Sequence, residues 1–323
     1  MNKVLEKVYR QVQDEMAEVD SLIKDATASE NRLLAGVSNH FLKNAGKRVR
    51  PILVLLAGKT CGGNRKRLVR LAAALELIHM ASLVHDDIVD GSALRRGNST
   101  INSVWGNHVA VLLGDYFYAR ALELAAPLGK GVNQGLGGLV SDLVHGEFRQ
   151  LENKGRYNIS ENDYLDTVSG KTAKFVSLCC RLGAELGRST PKEVDGLSLY
   201  GFYTGMAYQI VDDILDITGS VVQRGKTCGQ DLLCGVVTLP VIHALNNGPG
   251  QDKIRELLRK NRLKSDEMRS ILRLIRVTGS IEYSREKVFD YIRKAQGSLQ
   301  DLRPGMARDA LCLLAENISE GIS

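Results

Sequence analysis

Val84-His85-Asp86-Asp87-Ile88-Val89-Asp90 is the stretch whose reading decides the fold, and a near copy returns as Ile210-Val211-Asp212-Asp213-Ile214-Leu215-Asp216. Both copies sit inside long apolar segments with helical periodicity. Residues four apart on a helix share a face, one turn or roughly 6 Å along the axis. Asp86 and Asp90 therefore point the same way, as do Asp212 and Asp216. An acidic pair on an apolar helix is costly unless a cation compensates it. Oxygen-only donors with no cysteine nearby point to a hard ion, most simply Mg2+, which shares its shell with waters and substrate phosphates. Either copy alone reads equally well as a solvated helix face. Two copies with one spacing and one apolar context tell against that.

Outward from these stretches, the composition fits a helical protein. The chain has 323 residues, 44% hydrophobic and 25% charged, the balance of a soluble globular protein. Aromatics make up 5%, and six prolines leave room for long helices. Net charge is +6, which suits anionic small molecules, a membrane surface or nucleic acid. No Lys/Arg run resembles a nucleic-acid tail, so no nucleic-acid partner is expected. The six cysteines include no CxxC pair and read as reduced thiols of a cytosolic protein. Cys228, Cys234 and His243 match no standard zinc spacing. Met1 to Asp25 is charged and amphipathic, without the apolar core of a signal peptide. No stretch approaches the ~18 uncharged apolar residues of a membrane span. The expected location is the cytoplasm.

Taken in order, Val4, Leu5, Val8, Val12, Met16, Val19 and Ile23 form one helical stripe, and a second helix runs from Arg32 to Lys43. Gly46-Lys47-Arg48-Val49-Arg50-Pro51 reads as a turn into the next helix, with Pro51 in its first turn. Three cations at a helix start make either a phosphate site or a solvated basic turn. Leu68 to Val89 is apolar nearly all round, hence buried, and His79 within it reads as a core histidine. Arg95 and Arg96 follow the first aspartates as a structural ion-pair set or a phosphate clamp. Ile101 to Leu128 and Leu139 to Asn153 are helical, and the glycine-rich Gly129 to Gly138 is expected to be a flexible connection. Ser160 and Asp163 make a capping box for a helix to about Gly187, within which Lys171 and Lys174 either snorkel or hold an anion. Thr190-Pro191-Lys192-Glu193 opens the helix that carries Gln209 and the second aspartates to near Gly219. A loop with Gly225-Lys226 follows, then a short helix, then three or four amphipathic helices. No alternating strand pair and no linker stands out. The expectation is all-α, a single domain over residues 1–323.

The glycine–basic turn Gly46 to Pro51, the first aspartate motif with Arg95-Arg96, Lys171-Thr172, Gln209 with the second motif, Gly225-Lys226 and Thr238-Leu239-Pro240 together resemble the trans-isoprenyl diphosphate synthases, the polyprenyl synthetase family. The resemblance covers about Gly46 to Pro240. Around Met80 to Trp105 the chain is most similar to the catalytic subunit, component II, of bacterial heptaprenyl diphosphate synthases. The resemblance implies a large helical bundle of the isoprenoid synthase type with a central cavity. It implies two or three Mg2+ ions per site, held against an allylic diphosphate by Asp86, Asp90 and Asp212, with Asp87, Asp213 and Asp216 completing the motifs. Arg95, Lys171 and Lys226 would grip that diphosphate; Lys47, Arg50, His79 and Arg96 would hold isopentenyl diphosphate. Lys171, Thr172 and Gln209 would aim dipoles at the allylic cation. The family's usual partner is a second copy of the chain, or a small regulatory subunit in heptaprenyl-type enzymes, with at most peripheral membrane contact for product release.

One departure is visible. Many members carry lysine two residues before the Thr-Leu-Pro, where this chain has Val236. Product length points upward, because Ala81 and Ser82, one turn before Asp86, are small where farnesyl-making relatives carry bulky aromatics. Small residues leave the tunnel open at that depth, and the resemblance to heptaprenyl synthases implies a product of about C30 to C40, C35 favoured. Rival readings are weaker. A short-chain farnesyl or geranylgeranyl synthase would close the tunnel at that turn. A non-catalytic partner subunit would lack the aspartates. A terpene cyclase needs no separate cationic site for a second diphosphate. An HD-type metal phosphohydrolase, suggested by His85-Asp86, needs several histidine ligands and leaves the second aspartate motif unexplained.

Overall fold

The computed structural model describes residues 3–43, 46–95, 97–219, 228–247, 250–260 and 264–322. The described residues are helical apart from turns and one two-residue strand pair, β1 (Leu94–Arg95) with β2 (Asn98–Ser99). They divide into two compact units.

The first unit comprises Met1–Val140, Val176–Gly201 and Ser298–Leu314. It holds α1 (Lys3–Arg10), α2 (Gln13–Ala26), α3 (Arg32–Lys43), α4 (Val49–Thr60), α5 (Arg65–Val89) and α6 (Ile101–Ala125). The N-terminal apolar stripe is thus two helices, broken at Gln11 and Val12, rather than one. α5 is the core element: Asn64 caps its start by accepting from the Arg67 N–H at 3.2 Å, and Leu71 to Leu75 are fully buried against α2, α4 and α6. Its most apolar 18 residues reach a mean hydropathy of 1.4 and are 72% buried. One stretch is therefore long and apolar enough to span a membrane, which corrects the sequence expectation, and its burial marks it as a core helix.

The second unit comprises Ser141–Phe175, Phe202–Gly297 and Ala315–Ser323. α7 (Lys130–Asn153), α9 (Lys174–Glu185), α10 (Pro191–Thr218) and α16 (Met306–Ile318) supply residues to both units. α8 (Glu161–Val168) opens with the anticipated capping box. A π-helical turn, Ser169–Ala173, joins it to α9. Then come α11 (Gln230–Leu233), α12 (Leu239–Asn246), α13 (Gln251–Leu258), α14 (Ser265–Val277) and α15 (Ser280–Gly297). The short α12 buries Leu239, Pro240, Val241, Ile242, Ala244 and Leu245 against α8, α13, α14 and α15.

Two glycines explain how α9 meets α4 in the first unit. A Cβ at Gly183 would stand 2.6 Å from the Val54 carbonyl oxygen, and one at Gly187 2.6 Å from that of Cys61. Side chains at either place would force the backbones apart. The glycine-rich stretch Gly129–Gly138 is helical from Lys130, not a flexible connection. Val132, Leu136 and Leu139 lie one and two turns apart and are all buried, and Gly135 packs closely on Leu178 and Leu182 of α9. Tertiary burial overrides the poor helix propensity of glycine here.

Candidate active site

In the first unit the aspartates of α5 divide by face. Asp86 is half-buried and Asp90 exposed. Asp87, about 100° round the helix, is only 4% exposed and accepts from Arg95 Nε at 2.8 Å. The Asp87 carbonyl accepts from Ser92 N at 2.9 Å and from Asn102 Nδ2 at 3.3 Å, so the helix end is tied to the turn and to α6. His85 Nε2 lies 3.3 Å from the Val111 carbonyl and 3.7 Å from Asp115 Oδ1. It fits there because residue 114 is glycine; a Cβ would stand 2.1 Å from that nitrogen. Burial, with the charges of Asp86 and Asp115, pushes the Tyr118 phenol up to about 12. His79 and Ser82 are half-buried on the same helix and Ala81 is fully buried.

The basic turn before α4 resolves into two roles. Lys47 is exposed and Arg50 half-buried. Arg48 is committed elsewhere: Nη1 donates to Glu76 Oε1 at 2.8 Å and Nε to Asp20 Oδ1 at 3.2 Å. Its backbone is left-handed, φ 52° and ψ 36°.

In the second unit the middle aspartate is again buried, and here the last one is buried as well. Asp212 is exposed, while Asp213 is 2% exposed and accepts from Tyr164 Oη at 2.6 Å and Gln209 Nε2 at 2.9 Å. Burial and the nearby charge of Asp231 raise the Asp213 carboxyl well above the usual carboxylate range, against the pull of the Tyr164 and Gln209 hydrogen bonds. Gln209 is held at its other end too, its Oε1 accepting from Thr172 Oγ1 at 2.9 Å. Asp216 is 6% exposed and accepts from Asp231 N at 3.3 Å, and its carbonyl accepts from Gly229 N at 2.8 Å.

Lys171 projects from the π-helical turn to Glu147 Oε2 at 2.7 Å and Gln150 Oε1 at 3.1 Å. This approach needs a glycine on α7, since a Cβ at Gly146 would stand 2.9 Å from Lys171 N. Lys174, the other lysine singled out in this segment, pairs with Asp142 at 2.5 Å. Val236 is half-buried, its N–H donating to the Asp231 carbonyl at 2.8 Å. Arg96 and Lys226 lie outside the described residues. Cys228, Cys234 and His243 form no metal site: the cysteines are free, and the His243 ring stacks on Tyr283 at 4.3 Å and bonds Ser280.

Among the described residues no three His, Cys, Asp or Glu side chains converge to hold a metal by themselves. Paired carboxylates without nitrogen or sulfur still suit a hard divalent ion that completes its shell with waters and phosphate oxygens. The sequence reading missed Tyr164, Asn102, Glu147, Gln150 and Asp231 as partners of the site. Only Gly146-Glu147 with Gln150, a glycine and two polar groups on one helix, carried a visible signal.

Each aspartate motif thus sits on a long helix with its middle carboxylate buried and held, by Arg95 in the first unit and by Tyr164 and Gln209 in the second, an arrangement of oxygen donors that fits a metal-using helical enzyme. The chain belongs to the polyprenyl synthetase family, whose profile matches residues 31–275, and it is a prenyltransferase. It is 38% identical to heptaprenyl diphosphate synthase component 2 of Geobacillus stearothermophilus, over 96% of this chain and 97% of that protein. It is 34% identical to octaprenyl diphosphate synthase of Escherichia coli, again over 96% and 97%. The crystal structure of a Caulobacter crescentus polyprenyl synthase, complexed with calcium and isoprenyl diphosphate, superposes with a TM-score of 0.93 at 30% identity, covering 98% of both chains.

Proposed function

We propose that this prenyltransferase is a medium- to long-chain all-trans polyprenyl diphosphate synthase, condensing isopentenyl diphosphate with an allylic diphosphate of farnesyl or geranyl type to a product of about C30 to C40, C35 favoured. The observation that carries the reading is the division of each aspartate motif. In both, the middle aspartate turns inward and accepts from a neighbour, Arg95 in one case and Gln209 in the other, while the first aspartate keeps solvent access: Asp86 is half-buried and Asp212 exposed.

Asp86 and Asp90 in the first unit and Asp212 in the second are the carboxylates that would hold Mg2+, and calcium in the Caulobacter relative supports divalent-metal use. Bound there, the metal supplies positive charge to the leaving diphosphate. The chain's own cations do the rest of that work. Arg95, Lys171 and Lys226 grip the allylic diphosphate and meet the charge that develops as its C–O bond breaks. Thr172 and Gln209, locked to each other, present fixed dipoles to the allylic cation. Lys47, Arg50, His79 and Arg96 hold isopentenyl diphosphate with its double bond toward that cation. The new C–C bond forms from the double-bond electrons, and the proton then lost goes to the departed diphosphate. Val236 in place of lysine removes one cationic contact to the allylic substrate.

The two units act as one polyprenyl synthetase domain over residues 1–323, in the cytoplasm. The enzyme works as a homodimer or with a small regulatory subunit, and the word component in the Geobacillus relative's name favours a heteromeric partner. The test is product analysis after incubating the protein alone with farnesyl and isopentenyl diphosphates and Mg2+. Chains near C35 are expected. Products ending at C15 or C20 would instead assign a short-chain synthase.

A further inference from the structure

We propose that Arg48 is a positioning residue for isopentenyl diphosphate, clamping the basic turn to helix α5 through Glu76. The inference rests on the assignment of Lys47 and Arg50 to that substrate. Lys47 and Arg50 flank the one described non-glycine residue with positive φ, Arg48 at 52°. A long side chain gains nothing from a left-handed backbone, which crowds its Cβ. Glycine or asparagine would sit there with less strain. Something else must hold Arg48 in place, and the side-chain contacts identify it.

Arg48 Nη1 donates to Glu76 Oε1 at 2.8 Å, with side-chain exposures of only 10% and 5%. Nε reaches Asp20 of α2 at 3.2 Å, and the Met80 sulfur lies 3.6 Å from Nη1. Glu76 Oε2 is buried with no hydrogen-bond partner among the described residues. A buried carboxylate so poorly supplied depends on the guanidinium beside it, so the pair resists separation. The strained backbone is thereby fixed from the side chain inward. The relative placement of Lys47 and Arg50 depends on the dihedrals of residue 48, because only Arg48 and Val49 separate them. Glu76 belongs to the same helix as His79 and Asp86, so the clamp also sets the height of the turn along α5.

The test is steady-state kinetics with each substrate varied in turn. Arg48→Ala is expected to raise the KM for isopentenyl diphosphate about tenfold, with the allylic KM and kcat within about twofold of wild type. Arg48→Lys, which keeps one charged donor, should recover part of the loss. Because Arg48→Ala alone strands the Glu76 carboxylate, the double variant Arg48→Met/Glu76→Gln removes both charges together. It should fold and still show the raised isopentenyl KM. A double variant with wild-type constants overturns the proposal, as does an equal shift of both KM values. Lys47→Ala separates this from the underlying assignment. If Lys47→Ala raises the isopentenyl KM and the Arg48 variants do not, only the clamp fails. If Lys47→Ala leaves it unchanged, the substrate assignment of the turn fails first.

Discussion

Arg95 reaches back across the end of α5 to Asp87, Nε to Oδ1 at 2.8 Å, and the aspartate is 5% exposed at its side chain against 31% for the arginine. The carboxylate is fixed by burial, and the partly exposed guanidinium is fixed by the carboxylate. Asp87 therefore acts through Arg95. Asp87→Asn should raise the allylic KM about tenfold and lower stability by about 1–3 kcal/mol, since the buried ion pair becomes a hydrogen bond from the guanidinium to a neutral amide oxygen. Wild-type kinetics with Arg95→Lys and Asp87→Asn alike would dissociate this pair from the substrate.

Asp86→Ala and Asp212→Ala each remove a carboxylate assigned to the metal. Both should lower kcat by orders of magnitude, with thermal midpoints near wild type because the two residues are half-buried and exposed. Chelation with EDTA should abolish turnover, and added Mg2+ should restore it. Near-normal turnover of either variant sinks the shared-metal reading.

The two cationic sets should separate kinetically. Arg96→Ala is expected to raise the isopentenyl KM more than the allylic KM, and Lys226→Ala the reverse. The family resemblance pointed to these residues, whereas the sequence could not show how Arg48, Asp87 and Asp213 beside them are held. Helices α5 and α10, the cap at Ser160 and the cap at Thr190 were legible because helical spacing and capping chemistry are local. The start of α7 was not, since its glycines conceal three buried apolar residues that only packing on α9 explains. The inward turns of Asp87 and Asp213 were hidden for a related reason. Tyr164 lies far from Asp213 along the chain, as Glu76 does from Arg48, and no periodicity connects such partners.

Product length should respond to Ala81, which is fully buried one turn before Asp86. Ala81→Phe is expected to shift products toward C15 or C20, read by reversed-phase separation of the dephosphorylated alcohols. If that face of α5 is packed rather than open to the chain, the same variant will instead lose about 1–3 kcal/mol of stability and keep its product.

Acid sensitivity should be traceable to Glu161. Burial would raise its carboxyl, but hydrogen bonds from Lys287 and Tyr283 prevail and hold it below its ordinary value of 4.5. A depressed carboxyl stabilises the fold fully above the ordinary value, and the contribution is lost as pH falls through the lowered one. Both partners are about a third exposed, so the effect is at most about 1 kcal/mol. Glu161→Gln should melt below wild type at pH 7, and the gap should close as the pH drops beneath 4.5. A gap independent of pH would assign the loss to packing.

The π-helical turn at Ser169–Ala173 closes through Lys174 N–H to the Ser169 carbonyl, five residues back. It therefore works as a one-residue insertion in an otherwise regular ruler. An α-helix laid straight from Glu161 to Glu185 would deliver every side chain after the turn about 100° away from its present bearing. Deleting Gly170 would improve the hydrogen-bond ladder and misdirect Lys171 and Thr172 together, taking one from Glu147 and the other from Gln209. One residue of chain length, rather than any side chain, thus sets the bearing of two groups at once.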